Sequence, residues 1–252
     1  MGASGHEHAS ALSLVLVDSE LEMVPREFWS HPAVVSNASR RRKKPSRVLL
    51  DSSYHHSFLR DPEEKNRRGR PDMVHQFLLM GLDSILNLEG ALRLHVHTRN
   101  DEWISISPET RLPKNFNRFS GLFEELFRSG SVPAGREPLI RLERGMDIRA
   151  VLERARNDFP DIGRKHVILF SASGRPVLIA DELKRMMHDA PIHLICMIGG
   201  FPAGDFISDA ASLADDVISI FGEEIKIWAV EMELISAFRT ESIRGSRTSG
   251  EA

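Results

Sequence analysis

The chain has 252 residues, of which 41% are hydrophobic and 27% charged, with a formal net charge of −3; this is typical of a globular protein of one large or two modest domains. No apolar run approaches a membrane span, and the first ten residues lack the basic-then-apolar order of a secretory signal, so we expect a cytoplasmic protein with no membrane partner. A single cysteine, Cys196, excludes an intrachain disulfide and is expected as a packed core thiol.

The charges are distributed unevenly along the chain. Between Arg40 and Arg70 there are 11 Lys or Arg residues against 4 Asp or Glu, whereas between Ala180 and Arg239 there are 4 against 11. Because a polyanion is attracted to clustered cations, this asymmetry indicates a polyanionic partner for the front half.

The first third of the chain begins with an apolar run over residues 12–17 that is typical of a buried strand. Residues 36–45, with five consecutive cations from Arg40 to Lys44, predict a mobile connection, followed by a strand over residues 47–50 and a loop over residues 51–70. A helix is predicted to begin at Pro71, since proline suits the first helical position and apolar residues then recur at helical spacing.

The middle third predicts a β-hairpin and an amphipathic helix. Residues 92–97 alternate as a half-buried strand does, and residues 103–106 continue as the hairpin partner. His95 and His97 then share one face; a metal pair is one interpretation, but solvent-facing or RNA-facing histidines are favoured because a third clustered ligand is lacking. After residues 111–118, which carry three cations, an aromatic stripe beginning at Phe119 predicts a core-facing helix.

The second half of the chain alternates between predicted strands and predicted helices. Strands are predicted over residues 166–170, 192–198 and 217–220, and helices over residues 148–157, 179–188, 206–214 and 225–238. Such alternation predicts an α/β fold with a mainly parallel sheet and helices on both faces. The last helix is apolar around nearly its whole circumference, which favours a homodimer or, alternatively, a central position in one chain. The polar residues 241–252 predict a disordered tail.

A glycine-rich turn follows the apolar strand that begins at Leu194. Ligands of open α/β sheets bind beyond the carboxyl ends of strands, so the backbone around Gly199, Gly200 and Gly204 could touch a cofactor directly. Similar turns after residues 166–170 and 217–220 could line the same pocket. The spacing is not a dinucleotide fingerprint, because Phe201 breaks the glycine pattern, and ordinary strand-to-helix turns are the alternative.

Three motifs in order resemble a known family: RGRPD at residues 68–72, RLPKNFNRFSG at residues 111–121 and GGFPAGDF at residues 199–206. They are similar to the nucleolar essential protein, or essential-for-mitotic-growth, family of SPOUT-class ribosomal RNA methyltransferases, over about residues 12–239. The resemblance implies a single domain over residues 1–240 with a C-terminal trefoil knot, a small β-rich RNA-binding extension and basic RNA-binding insertions within residues 40–118. It also implies a homodimer that binds S-adenosylmethionine and methylates N1 of a pseudouridine in a loop of small-subunit ribosomal RNA.

The same resemblance assigns roles to individual residues. RNA contacts fall on Arg68, Arg70, Arg111, Lys114 and Arg118, and the acidic position falls on Asp72. Lysine at residue 114 keeps the charge but loses bidentate geometry. Cofactor contacts fall on three loops: Ala172 and Ser173; Gly199, Gly200 and Gly204; and Ile220, Phe221, Gly222, Glu223, Glu224 and Ile225. The last loop departs from many relatives, which place proline before a small residue where this chain has Glu224-Ile225-Lys226, so its side-chain roles are open.

The chemistry requires in-line alignment and loss of the ring N1 proton, and proximity supplies much of the rate. Asp72 is the candidate for orienting the N1–H or accepting its proton; orientation is favoured, because a carboxylate at a helix start is a good acceptor but a weak base, and a helix-capping role is the alternative. A second functional hypothesis is an RNA-binding small-subunit assembly factor whose methyl transfer is dispensable, with ribosomal assembly proteins as partners and a nucleolar location in a eukaryote. A flavodoxin-like nucleotide enzyme is disfavoured, because the first loop lacks a phosphate cradle.

Overall fold

A computed structural model describes residues 10–135 and 137–249, with side chains described as far as residue 244. The strands in this part of the chain are β1 (Ala11–Ser19), β2 (Leu92–Thr98), β3 (Glu102–Ile106), β4 (Ser131–Val132), β5 (Ile140–Arg144), β6 (Lys165–Pro176), β7 (His193–Gly199) and β8 (Asp216–Ser219). The α-helices are α1 (Pro32–Arg40), α2 (Ser52–His55), α3 (Pro62–Arg67), α4 (Pro71–Asp83), α5 (Ile85–Leu88), α6 (Phe116–Ser129), α7 (Ile148–Ala155), α8 (Ile179–Met187) and α9 (Ile227–Ser249).

The described strands form one mixed eight-stranded sheet in the order β4-β5-β3-β2-β1-β7-β6-β8. The pairs from β2 through β1, β7 and β6 to β8 are parallel, whereas β3, β4 and β5 add antiparallel pairs at the other edge. Because β1, β6, β7 and β8 are mutually parallel, their carboxyl ends lie at one edge of the sheet. The basic segments before α4, expected as insertions, are helical.

Helices cover both faces of the sheet, as predicted. In β1, Leu12, Leu14 and Leu16 point into the larger core, which α4, α6, α8 and α9 complete, whereas Val15 and Val17 point into a smaller core shared with α7. The period of two along a strand accounts for this division. Cys196 lies in the larger core, which confirms the predicted packed thiol, and burial raises its pKa.

Residues 36–50 differ from the sequence-based prediction. The supposed mobile connection begins inside α1, and residues 47–50 form no strand beyond a single bridge between Met23 and Leu49. Val34 and Ala38 of α1 pack in a small third core with Phe58. Residues 34–37, Val-Val-Ser-Asn, have weak helix propensity, so tertiary packing rather than local preference stabilises α1.

The supposed loop over residues 51–70 contains two short helices, each capped by an aspartate. The Asp51 carboxylate accepts from the Ser53 N–H at the start of α2, and the Asp61 carboxylate accepts from the Glu63 and Glu64 N–H groups at the start of α3. Such caps satisfy the free amides of a first helical turn. The capping pattern was present in the sequence, but both helices are too short for a periodic signal.

The C-terminal segments differ from prediction in two places. The predicted helix over residues 206–214 is only a 3-10 turn at Ala210–Leu213, whereas α9 continues to Ser249, well into the predicted tail. Glu241 of the extension is nearly buried and pairs with Arg244. Residues 250–252 of the predicted tail lie outside the described residues.

His95 and His97 share one face of β2, as expected, but the prediction that they face solvent or RNA is wrong. Both are buried: His95 Nε2 lies 2.7 Å from an Asp158 carboxylate oxygen, and Trp103 Nε1 donates to His95 Nδ1. His97 lies between Asp18 and Asp101. The helix α7 and its following turn cover this face, which the alternation of β2 could not reveal. Within the described residues, no helix combines the length and hydropathy needed to cross a bilayer.

Candidate functional site

A cavity of about 540 Å³ opens at the carboxyl ends of β6, β7 and β8. Three segments form most of its wall: residues 170–173 after the first part of β6, residues 198–206 after β7, and residues 218–227 after β8. Met73 of α4 and Val230 of α9 complete it. A volume of this size lies within the range of small-molecule sites, so the three loops predicted to share a pocket do share one.

The first wall segment is an outward bulge in β6. Residues of β6 pair with β8 up to Phe170↔Ile218, and pairing resumes at Arg175↔Ile218, so the residues between them leave the ladder. Gly174 closes the bulge: a Cβ there would lie 2.6 Å from the Ile218 carbonyl carbon. Only glycine permits this backbone approach, which turns Ala172 and Ser173 toward the cavity.

The second wall segment is anchored to the end of β1. A Cβ on Gly200 would lie 2.6 Å from the Ser19 Cα, and the Gly200 N–H donates to the Val17 carbonyl. One Asp18 carboxylate oxygen accepts from the Ile207 N–H at 2.8 Å and from the Ser208 N–H and hydroxyl, both at 3.0 Å. Burial alone would raise the pKa of Asp18, but its contacts with His97 and Ser208 hold it below the usual value. Because the N–H groups of Ile207 and Ser208 donate to Asp18, residues 206–208 are irregular rather than helical.

The third wall segment supplies an acidic side to the cavity. The Gly222 N–H donates to the Ser219 hydroxyl in a turn where Gly222 has a φ of +80°, a conformation that favours glycine. Glu223 and Glu224 follow and line the cavity, as does Asp205 from the second segment. Lys226 is the one cation among the lining residues in the described part of the chain. A positively charged ligand group therefore suits this wall.

Arg67, at the end of α3 and directly before the RGRPD motif, contacts residues of the cavity wall. Its Nε donates to a Glu20 carboxylate oxygen at 2.6 Å, one Nη donates to the Asp205 carbonyl, and its guanidinium lies over the Phe201 ring. Glu20 is itself buried and also accepts from Arg99 at 2.8 Å. Burial raises the pKa of Glu20 although both guanidiniums oppose the change. The turn after β7 is thereby tied to the segment that carries the RGRPD motif.

The two arginines of that motif have different surroundings. Arg68 forms a bidentate pair with Glu22 at 2.8 and 2.9 Å and a further pair with Glu64, so it is largely committed within the protein. Arg70 forms a bidentate pair with Asp72 at 2.8 and 2.7 Å, and both side chains remain partly exposed. Hydrogen bonding to Asp72 raises the pKa of Arg70. Asp72 therefore fixes the orientation of Arg70 beside the first turn of α4, and α4 has no side-chain cap.

The motif over residues 111–121 packs against α4. His75 Nε2 lies 2.8 Å from the Pro113 carbonyl oxygen, and its ring stacks on Phe119 with centroids 4.3 Å apart. Asn115 caps α6 by accepting from the Arg118 N–H. Arg111, Lys114 and Arg118 are all exposed, and among the described residues the one salt bridge that their side chains form is a long contact of Lys114 with Asp83, at 3.9 Å.

Most of the residues that were predicted to contact the cofactor lie together around the cavity. Of those assigned from the resemblance, the following line the cavity: Ala172, Ser173, Gly199, Gly204, Ile220, Phe221, Glu223, Glu224 and Ile225. Gly200 and Gly222 shape their turns without lining it. Asp72 and the predicted RNA-binding residues lie outside the cavity wall, but Met73, directly after Asp72, belongs to it.

Four residues that shape the site were missed by sequence reasoning: Asp18, Glu20, Arg67 and His75. A weak signal existed for the first two, because carboxylates directly after a buried strand need partners. Asp18 and Arg67 each bind a partner in the turn after β7 that lies more than 130 residues away in sequence. No local pattern could identify them.

The comparisons with known proteins agree with this arrangement. Residues 14–239 match the family described as EMG1/NEP1 methyltransferase. The chain is 46% identical over 238 residues to "Ribosomal RNA small subunit methyltransferase Nep1" of Methanothrix thermoacetophila, covering 94% of this chain and 100% of that protein. It is 44% identical to the protein of the same name from Thermococcus onnurineus, covering 90% and 97% of the two chains.

A solved structure is also similar. The crystal structure of Archaeoglobus fulgidus Nep1 bound to S-adenosylhomocysteine superposes with a TM-score of 0.73 at 33% identity, covering 92% of this chain and 98% of that one. The family match spans all three motifs, the cavity loops and the basic segments. The chain therefore belongs to the EMG1/NEP1 methyltransferase family.

Proposed function

We propose that this protein transfers the methyl group of S-adenosylmethionine to N1 of a pseudouridine in a loop of small-subunit ribosomal RNA, and so acts in ribosome biogenesis. The observation that carries the proposal is the adjacency of Asp72 and Met73: the first forms the exposed pair with Arg70, and the second lines the cavity. The first turn of α4 thus places Arg70, a candidate phosphate contact, next to the wall of the small-molecule cavity. The names of the relatives and the S-adenosylhomocysteine in the Archaeoglobus structure support the two substrates.

The cavity suits S-adenosylmethionine in size and charge. Its three carboxylates, from Asp205, Glu223 and Glu224, complement a sulfonium and an ammonium group, and its glycine turns allow backbone amides and carbonyls to approach a ligand closely. Apolar side chains such as Ile198 and Ile225 offer surface to an adenine ring. When bound, S-adenosylmethionine supplies an electrophilic methyl group on sulfur.

We assign the positioning of the nucleotide to Arg70 and Asp72. The pair is preformed and partly exposed, so Arg70 can meet a phosphate while an Asp72 oxygen accepts from the ring N1–H. Arg111 and Lys114, which precede α6, and Arg118, in its first turn, are further exposed cations that we assign to phosphate contacts. Sequence-selective RNA recognition favours unpaired bases in loops, so a target nucleotide turned out of its stack is the expected substrate.

The expected SPOUT knot and homodimer belong to the same proposal. Helix α9 follows the edge strand β8 but packs against α4 and α8, which favours a chain that returns across the carboxyl ends of the strands. An experimental structure in which α9 does not pass through the loop formed by the preceding strands would contradict the knot. Leu88, Ile85 and Met232 are exposed apolar residues that suit an interface between two copies. Sedimentation equilibrium should give twice the chain mass, and a monomer at micromolar concentration would contradict the dimer.

The proposal is tested by incubating the protein with methyl-labelled S-adenosylmethionine and hairpin RNAs whose loop carries either pseudouridine or uridine at one position. We expect label in the pseudouridine RNA and not in the uridine RNA, because only pseudouridine presents a ring N1–H. Mass spectrometry of the digested RNA then identifies the methylated atom. Equal labelling of both RNAs would contradict N1 specificity, and no labelling of any small-subunit loop would contradict the activity.

A further inference from the structure

A second hollow of about 260 Å³ has Pro71, the first residue of α4, in its wall. We call it the Tyr54 hollow; it is lined by residues that include Asn37, Arg40, Tyr54, Pro71, Phe116 and Asn117. Pro71 stands between Arg70 and Asp72, and Asn117 directly precedes Arg118. RNA that contacts both Arg70 and Arg118 would therefore pass this hollow.

The hollow offers an aromatic face and an available cation. Tyr54 is 43% exposed, and the Arg40 guanidinium carbon lies 5.5 Å from the centroid of its ring. The neighbouring Arg41 is committed to the buried carboxylate of Glu124, whereas Arg40 forms no salt bridge within the described chain. His55, buried beside Tyr54 and stacked on Phe58, holds the helix that carries the ring.

Asn37 supplies a polar group at the wall of the hollow. This residue is only 3% exposed, and none of the hydrogen bonds among the described residues involves its side-chain amide. The amide nitrogen and oxygen of Asn37 are not among the buried unpaired atoms of the described residues, so both reach solvent and can meet a ligand that accepts and donates hydrogen bonds. The edge of a nucleobase does, and a nucleobase also stacks on an aromatic ring.

We propose that the Tyr54 hollow binds an unpaired base of the RNA, from a nucleotide neighbouring the one that is methylated. The base stacks on Tyr54, its edge meets the Asn37 amide, and Arg40 neutralises an adjacent phosphate. This inference rests on the proposed function, because it takes the RNA to be bound along Arg70 and Arg118. It adds a site that selects the sequence around the target.

The test uses hairpin RNAs with the fluorescent base 2-aminopurine at successive unpaired positions beside the pseudouridine. Binding of the wild-type protein should quench one position through stacking on Tyr54. The quench should persist with Tyr54→Phe, which keeps the ring, and disappear with Tyr54→Ala, whose RNA affinity should fall roughly tenfold. Affinity for S-adenosylhomocysteine and Tm should not change, because Tyr54 lies outside the cavity and is half-exposed.

The outcomes separate this inference from the function on which it rests. If wild type methylates the hairpin and Tyr54→Ala binds it with unchanged affinity and an unchanged quench, the inference is overturned and the proposed function stands. If wild type neither binds nor methylates any pseudouridine hairpin, both are overturned. Should Tyr54→Ala fail to fold, Tyr54→Leu replaces it, since leucine keeps apolar bulk without an aromatic face.

Discussion

The guanidinium carbon of Arg67 lies 4.0 Å from the centroid of the Phe201 ring. A buried cation of the basic segment thus covers an aromatic ring in the cavity wall, while its charge is balanced by Glu20 and one of its N–H groups binds the Asp205 carbonyl. The shape of the turn over residues 199–205 is therefore set partly by Arg67, which directly precedes the RGRPD motif. We expect changes in this contact to alter cofactor binding.

Replacing Phe201 by leucine tests this expectation. Phe201→Leu removes the ring but leaves the Arg67–Glu20 pair intact, and a desolvated cation–π contact contributes about 1–2 kcal/mol. Affinity for S-adenosylhomocysteine, measured by titration calorimetry, should fall by about five- to thirtyfold. Phe159→Leu is the matched control, since the Arg93 guanidinium lies over the Phe159 ring and Phe159 is outside the cavity wall. Unchanged affinity in a folded Phe201→Leu protein would contradict the role of the contact.

Arg111 is exposed and free of strong partners within the described chain, so its replacement by alanine should affect RNA alone. Arg111→Ala should weaken RNA binding and reduce the slope of log affinity against log salt by about 0.7–0.9, the effect of losing one phosphate contact. Its affinity for S-adenosylhomocysteine should equal that of wild type. Arg149→Ala, an exposed arginine on α7, provides the control. An equal loss of cofactor affinity would refute the assignment.

Replacing Asp72 should lower the rate of methyl transfer much more than it lowers the affinity for RNA or cofactor. Asp72→Asn keeps the shape of the side chain but loses the negative charge that pairs with Arg70 and that we propose as the acceptor of the ring N1–H. The rate of methyl transfer at saturating RNA should fall by about a hundredfold or more, since small misplacements of reacting groups cost this much. Affinities for RNA and S-adenosylhomocysteine should change less than fivefold. A full rate in Asp72→Asn would leave Asp72 with a structural role only.

The same variant separates the two functional hypotheses. If Asp72→Asn abolishes methyl transfer while small-subunit maturation and RNA affinity persist in cells, the assembly role is independent of the reaction. If maturation fails together with methylation although RNA binding is retained, the reaction itself is required. Either result is measured by comparing rRNA precursors and methylated rRNA in the same strain.

Because His193 of β7 is buried, we expect the free energy of unfolding of the protein to depend on pH. Burial lowers the pKa of His193 from 6.5 to about 4, although the Asp158 carboxylate opposes the shift. Between these values the unfolded chain binds more protons than the folded one, so the free energy of unfolding falls as pH drops from 6.5 toward 4. Above about pH 6.5 the contribution is constant.

The measurement compares wild type with His193→Gln by urea unfolding from pH 4.5 to 7.5. Because glutamine does not titrate, the stability of the variant relative to wild type should improve by about 2–3 kcal/mol as pH falls through this window. His188→Gln, at an exposed position, is the control. A difference that stays flat with pH would show that His193 is not buried neutral.

Local sequence patterns predicted those helices and strands whose periodicity and end residues lie within one continuous segment. Pro71 followed by a helical apolar period gave α4, the aromatic stripe gave α6, and alternation gave β2 and β3. Helix α1 was missed because weak helix formers are stabilised there by packing on Phe58 and its neighbours. Burial of His95 was missed because the cover, α7, is distant in sequence.

The sequence by itself determined the family, the three cavity loops and the cationic positions, because each depends on residue types at short spacing within a motif. Only the tertiary structure decided that Asp18 and Arg67 hold the turn after β7, that Arg68 is committed to Glu22 while Arg70 stays available, and that Tyr54 borders a hollow. These relations join residues far apart in the chain. Their geometry follows from the order of the strands, which no local pattern encodes.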